Sequence, residues 1–211
     1  MWYAKCMMKR RPYDICNKII IAVNILVFFV LEILGDTESG SFMYAHGALY
    51  PDVVLVDGEW YRLFTCMFIH FGIRHIGNNM LILFFLGDNL ERALGHVKYV
   101  VLYLLSGLCG SAISLAYMVK SGDYAVAGGA SGAIFGVIGA LIYVVIRNKG
   151  RLEDLTAGRL IFMAALSLYY GFTAEGVDNL AHLGGLVSGI LLAVILYRKK
   201  SSPRNRAWDV Y

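Results

Sequence analysis

The sequence predicts an all-α membrane protein, a polytopic bundle of six transmembrane helices, and three observations carry that reading. Of the 211 residues 58% are hydrophobic and only 16% charged, with a mean hydropathy of +0.61, which is too apolar for an ordinary soluble domain. Long apolar stretches occur at 17–34, 76–90, 98–119, 130–146, 160–171 and 177–197, the fifth being the shortest. A bilayer core of about 30 Å has no water to satisfy a polypeptide backbone, so runs this long and without alternation are helices.

The third observation is the distribution of charge. Sixteen of the 19 Lys and Arg fall on one side of the six-span topology. Lys5, Lys9, Arg10, Arg11 and Lys18 precede or begin the first span; Arg92 and Lys98 follow the second; Arg147, Lys149, Arg151 and Arg159 follow the fourth; Arg198, Lys199, Lys200, Arg204 and Arg206 form the tail. Only Arg62, Arg74 and Lys120 lie opposite, together with Asp36, Glu38, Asp52, Asp57, Glu59, Asp123, Glu175 and Asp178. Basic connections stay cytoplasmic, so both termini are expected inside, as in a plasma-membrane protein of a prokaryote. The formal charge of +4 is thereby a topology signal and requires no nucleic-acid partner.

Taken in order, the chain divides into a cytoplasmic segment 1–16, a membrane domain 17–197 and a basic tail 198–211. The first apolar run is followed by Gly35-Asp36-Thr37-Glu38 rather than a small-x-small cleavage pattern, which predicts an uncleaved first helix. The connection at 35–74 is rich in aromatics, among them Phe42, Tyr44, Trp60, Tyr61 and Phe68. It is expected to lie partly in the outer leaflet with its rings at the interface. Cys6, Cys16, Cys66 and Cys109 have no paired spacing, predict neither a disulfide framework nor a metal site, and leave Cys66 alone on the oxidising side. No internal repeat or low-complexity tract is present.

Chemistry is concentrated near the outer ends of the second, fourth and sixth spans, all of which run inward. His75 and Asn79 begin the second, Ser131 the fourth, and His182 lies near the start of the sixth. At about 1.5 Å per residue these positions lie roughly 5–10 Å below the outer ends, in one shallow layer. Polar side chains are costly there and point to function. A serine hydroxyl needs a base within about 2.6–3.2 Å to become a nucleophile, and His182 is the histidine placed to supply it. Small residues permit close backbone approach, and Gly132-x-x-x-Gly136 and Gly185-x-x-x-Gly189 supply them beside the two residues.

An acyl-transfer site also needs oxyanion donors. His75 and Asn79, at i and i+4, share one helix face and can act with the Ser131 backbone N–H. Phe135, one turn after Ser131, is placed to stack on the His182 ring. Asp178, one turn before His182, is a weaker candidate for a third member because it falls at the water interface. Each residue has a plainer reading. A serine in a membrane helix commonly bonds back to the carbonyl four residues earlier, an isolated histidine packs, and glycines serve helix contacts alone. Coincidence of depth favours the shared site.

These motifs resemble the rhomboid family of intramembrane serine proteases over about residues 59–189. Glu59-Trp60-Tyr61-Arg62-Leu63-Phe64-Thr65 is similar to the family's first outer loop, with Tyr61 where tryptophan is typical before Arg62. His70 with His75-x-x-x-Asn79 resembles its oxyanion motif, Gly129-Ala130-Ser131-Gly132 its nucleophile motif, and Ala181-His182-x-x-Gly185-x-x-x-Gly189 its histidine motif. The resemblance implies a six-helix rhomboid-like core and a Ser131–His182 dyad without an obligatory acid. His75 and Asn79 then stabilise the oxyanion, and His70, Phe135, Gly129, Gly132 and Gly185 support the site. Its substrates would be single-span membrane proteins in the lipid bilayer, cut near the outer face, with no metal or organic cofactor. Glu91 and Arg92 would tie the inner end of the second helix, and the 171–176 connection would cap the site. His46, His70 and His75 lack the His-x-x-x-His spacing of a helical zinc site. Two other readings remain: a non-catalytic rhomboid-like protein that binds transmembrane helices, and a channel or transporter, for which no inverted repeat or midplane charge pair is present.

Overall fold

The computed structural model describes residues 15–152, 154–173 and 176–198. Lys5, Cys6, Lys9, Arg10, Arg11, Glu175, Lys199, Lys200, Arg204 and Arg206 lie outside the described residues, as does most of each expected terminal segment. Among the described residues six helices exceed 16 residues: α1 (Ile15–Leu34), α2 (Gly72–Leu94), α3 (His96–Ser121), α4 (Ser131–Arg147), α5 (Ala157–Thr173) and α6 (Asn179–Leu196). By length and composition α1, α3 and α6 can cross a membrane, and α4 is apolar but shorter. A two-residue antiparallel hairpin, β1 (Arg151–Leu152) with β2 (Leu155–Thr156), joins α4 to α5. Its residues are too few to show a period-2 pattern in the sequence.

The helices are apolar on the outside and partly polar within, the reverse of a soluble bundle. On α1 the buried stripe is Asn17, Ile20, Asn24, Phe28 and Leu31, at helical spacing, while Leu26, Phe29 and Ile33 are exposed. Asn17 is satisfied across three helices: its amide nitrogen donates to the Leu83 carbonyl (3.1 Å) and Asp88 (2.6 Å), and its oxygen accepts from the Tyr99 hydroxyl (2.6 Å). A buried amide left unpaired would be costly, and this network removes that cost. Glu91, 1% exposed, accepts from the backbone N–H groups of Cys16 (3.0 Å) and Asn17 (2.8 Å). It thereby caps the start of α1, where helix amides lack intrahelical acceptors.

Helix α4 sits at the centre, with Gly132–Leu141 buried on every side and α2, α3, α5 and α6 around it. The starts of α2, α4 and α6 meet at one end. At the other end Lys98 Nζ donates to the Leu196 carbonyl (2.9 Å) and Asn148 Nδ2 to the Tyr197 hydroxyl (2.7 Å).

The long connection after α1 is more ordered than an interfacial aromatic belt requires. It forms short helices at Gly40–Ala45, Pro51–Leu55 and Arg62–Thr65 and a 3₁₀ turn at Cys66–Phe68. Buried Arg62 organises it, pairing with Glu59, donating to the Tyr44 (2.6 Å) and Ala48 (2.8 Å) carbonyls, and lying over the Tyr44 ring at 5.5 Å. The hydrogen bond from Arg62 holds the Glu59 carboxyl below its ordinary pKa. Trp60, Tyr61 and Phe64 do present exposed rings.

Candidate active site

Two helices approach here until their backbones touch. A Cβ on Gly185 of α6 would lie 1.9 Å from the Gly132 carbonyl oxygen of α4, and one on Gly189 would lie 2.1 Å from that of Gly136. A Cβ on Gly132 would meet the Ala181 carbonyl at 3.4 Å. Only glycine fits at 185 and 189, so the paired Gly-x-x-x-Gly runs set the register of α4 on α6. Ser131 and His182 are the chain neighbours of the contacting residues Gly132 and Ala181.

Ser131 is the first residue of α4 and half-buried. Other membrane serines bond back to their own helix: Ser188 to the Gly184 carbonyl (2.7 Å) and Ser111 to that of Gly107 (3.2 Å). At a helix start no such preceding turn exists. The segment before it is held by backbone hydrogen bonds from three directions. Ala127 exchanges both bonds with Leu49 (2.8 and 2.9 Å), Gly129 N–H donates to the Cys66 carbonyl (2.8 Å), and Ala130 N–H donates to His70 Nε2 (3.3 Å). Gly129 has φ +135°, a conformation that excludes most side chains.

His70 is fully buried, and its Nδ1 lies 3.3 Å from the Phe68 carbonyl. With Nε2 accepting, Nδ1 carries the proton and donates to that carbonyl. His75 has the opposite tautomer. Its Nδ1 accepts from the Phe71 N–H (3.3 Å), so Nε2 carries the proton and is free to donate. That Nε2 would lie 2.8 Å from a Cβ on Gly129, and the same Cβ would lie 3.7 Å from Ser131 Oγ. The absence of a side chain at 129 leaves the space between the ring N–H and the serine open. Asn79, on the same face and buried, gives one amide N–H to the His75 carbonyl (3.2 Å) and retains a second.

His182 is 8% exposed and stacks on Phe135, with ring centroids 4.4 Å apart and planes at 14°. Its Nδ1 is buried without a hydrogen-bond partner among the described residues. Asp178 does not reach the ring. It caps α6, Oδ1 accepting from Ala181 N–H (2.9 Å), while Oδ2 accepts from the Ser114 hydroxyl of α3. The α6 cap and the Ser114 hydroxyl thus each take one of the oxygens that a third member would use.

A cavity of about 30 Å³, room for one or two waters, adjoins Ser131 and is lined by Cys66, Ser111, Gly128, Gly129, Asp178 and Ala181 among others. Cys66 is buried, and its Sγ lies 3.3 Å from Ser111 Oγ. Burial pushes its thiol up to about 11, so the sulfur beside Ser131 stays protonated and unreactive.

A family model, the Rhomboid domain, matches residues 57–199. The chain belongs to the rhomboid family. It is 36% identical over 176 residues to the Rhomboid protease GluP of Bacillus subtilis (strain 168), covering 83% of this chain and 34% of that protein. It is also 37% identical over 171 residues to RHOMBOID-like protein 1 of Arabidopsis thaliana, covering 76% and 43% respectively. The chain thus spans between a third and a half of the length of these relatives. With its apolar helices, rhomboid membership makes it an integral membrane protein.

Sequence reasoning missed the anchors of the serine loop at Leu49 and Cys66, which act through backbone groups and leave no local pattern, whereas His70, expected as a support residue, bonds to Ala130 N–H. The Asp178 cap was missed as well, although Asp-Asn ahead of an apolar run is a signal for it.

Proposed function

We propose that this rhomboid chain is an intramembrane serine endopeptidase, with six spans and both termini cytoplasmic, that hydrolyses single-span membrane proteins near the outer face. The observation that supports the reading is the backbone contact between Gly132 of α4 and Gly185 of α6, next to Ser131 and to a His182 ring that stacks on Phe135 and whose Nδ1 has no hydrogen-bond partner among the described residues.

Ser131 Oγ attacks the scissile carbonyl carbon while His182 takes its proton. The resulting oxyanion accepts from His75 Nε2–H, the Ser131 backbone N–H at the positive end of α4, and the second Asn79 N–H. Collapse expels the amine, which takes the proton from His182 and leaves an acyl ester on Ser131. Water, deprotonated by His182, then attacks the ester, and the acid and free serine are restored. Phe135 orients the imidazole, and His70, Gly129, Gly132 and Gly185 hold the two helix starts in place.

The test is cleavage of a labelled single-span substrate by purified protein in detergent, comparing wild type with Ser131→Ala and His182→Ala. Cleavage confined to the wild type supports the reading. Equal cleavage by the variants removes the dyad, and substrate binding without cleavage by any form favours a helix-binding protein.

A further inference from the structure

At the end of the bundle opposite Ser131, three side chains from three helices converge: Cys16 at the start of α1, Glu91 near the end of α2 and His96 at the start of α3. Their candidate ligand atoms, one thiol sulfur, one carboxylate oxygen and one imidazole nitrogen, all lie within 4.8 Å of one another. They are separated by up to 80 positions in the chain, which is why cysteine spacing predicts no such site. Glu91 is 1% exposed and His96 Nδ1 lies 2.5 Å from its Oε1. The His96 side chain is 49% exposed, which leaves a route in from the aqueous side.

We propose that Cys16, Glu91 and His96 form a binding site for a zinc-class divalent cation that clamps the inner ends of α1, α2 and α3. The donor set decides the metal class. Sulfur with imidazole and carboxylate suits Zn²⁺ and disfavours Mg²⁺ or Ca²⁺, which take oxygen shells. Tetrahedral bonds of about 2.0–2.3 Å put ligands roughly 3.3–3.8 Å apart, so the group needs to close by about 1 Å. His96 and Glu91 are already closer than that and separate slightly as the ion replaces the proton between them. Glu91 Oε2 keeps its bond from Asn17 N–H (2.8 Å), so that half of the α1 cap is retained while Oε1, which accepts from Cys16 N–H (3.0 Å), turns to the ion. On coordination Cys16 releases its thiol proton to solvent, and His96 binds through Nδ1 with its other ring proton on Nε2. Three protein ligands leave the fourth position to water.

The experiment is titration of the tag-free full chain in detergent with Co²⁺ alone, read by absorption, and with Zn²⁺ alone, read by calorimetry. Cys16→Ser, His96→Ala and His96→Gln serve as variants, the last retaining a hydrogen-bonding side chain beside Glu91. The expected result is one ion per chain, a thiolate-to-cobalt charge-transfer band absent from Cys16→Ser, and zinc affinity at least about tenfold weaker in every variant. Zinc should also raise the unfolding temperature of the wild type and leave that of the variants nearly unchanged. A cobalt spectrum without a thiolate band, zinc affinity insensitive to all three substitutions, or no binding by the wild type would each overturn the site.

Discussion

Gly185→Ala isolates the geometry on which the proposed chemistry depends. The added Cβ would lie 1.9 Å from the Gly132 carbonyl oxygen and 2.8 Å from its carbon, against an ordinary contact limit near 3.4 Å. Both obstacles are backbone, so no rotamer change relieves them and α6 must move from α4 by about 1.5 Å. Overpacking of this kind costs about 1–3 kcal/mol, which shows as a lower unfolding temperature. The larger effect is on rate. A nucleophile and base work within a window of about 0.6 Å, and a misplacement of about 1 Å costs roughly 100-fold. The variant should therefore fold, melt earlier and cleave a single-span substrate at least about 100-fold more slowly. Gly158→Ala is the control, because nothing lies within 4 Å of its Cβ position. A folded Gly185→Ala protein that cleaves at the wild-type rate would refute the claim that this contact sets the catalytic pair.

Loss of the ring donor in His75→Ala should lower kcat by about 100–1000-fold with a smaller change in KM, measured by steady-state cleavage. Phe135→Ala removes the stack on His182 and should reduce kcat about three- to tenfold, the equivalent of one aromatic contact. Asp178→Ala should lower stability by about 1 kcal/mol through loss of the α6 cap, and Asp178→Asn by much less, as read by thermal unfolding. The Glu59–Arg62 pair has a pH signature. Because the folded carboxyl has a lowered pKa, its contribution is present above the unfolded value and is lost as pH falls through the folded one. The difference in unfolding temperature between wild type and Glu59→Gln should therefore be full at pH 7 and shrink in strong acid.

Helix positions were legible because membrane burial imposes long apolar runs, and each long helix overlaps an expected span, with ends displaced by a few residues. Gly132, Gly136, Gly185 and Gly189 were legible as paired Gly-x-x-x-Gly runs, and backbone contact admits only glycine at 185 and 189. The ordered part of the 35–71 connection was not, since Arg62 builds it from carbonyls at Tyr44 and Ala48 that any side chain could carry. Asp178 shows the limit of spacing as a guide. Its position one helical turn from His182 suggests contact with the ring, yet that same position is the N-cap, where free amides of α6 and the Ser114 hydroxyl compete successfully for the carboxylate. The Cys16, Glu91 and His96 cluster was hidden because only tertiary packing brings together ligands from three helices.

The most direct measurement of the central claim is mass-spectrometric mapping of a fluorophosphonate adduct on the purified, detergent-solubilised chain. One adduct is expected, on Ser131, that disappears in Ser131→Ala and forms at least about 100-fold more slowly in His182→Ala. An adduct on another residue, or labelling of Ser131 that proceeds unchanged without His182, would contradict that claim.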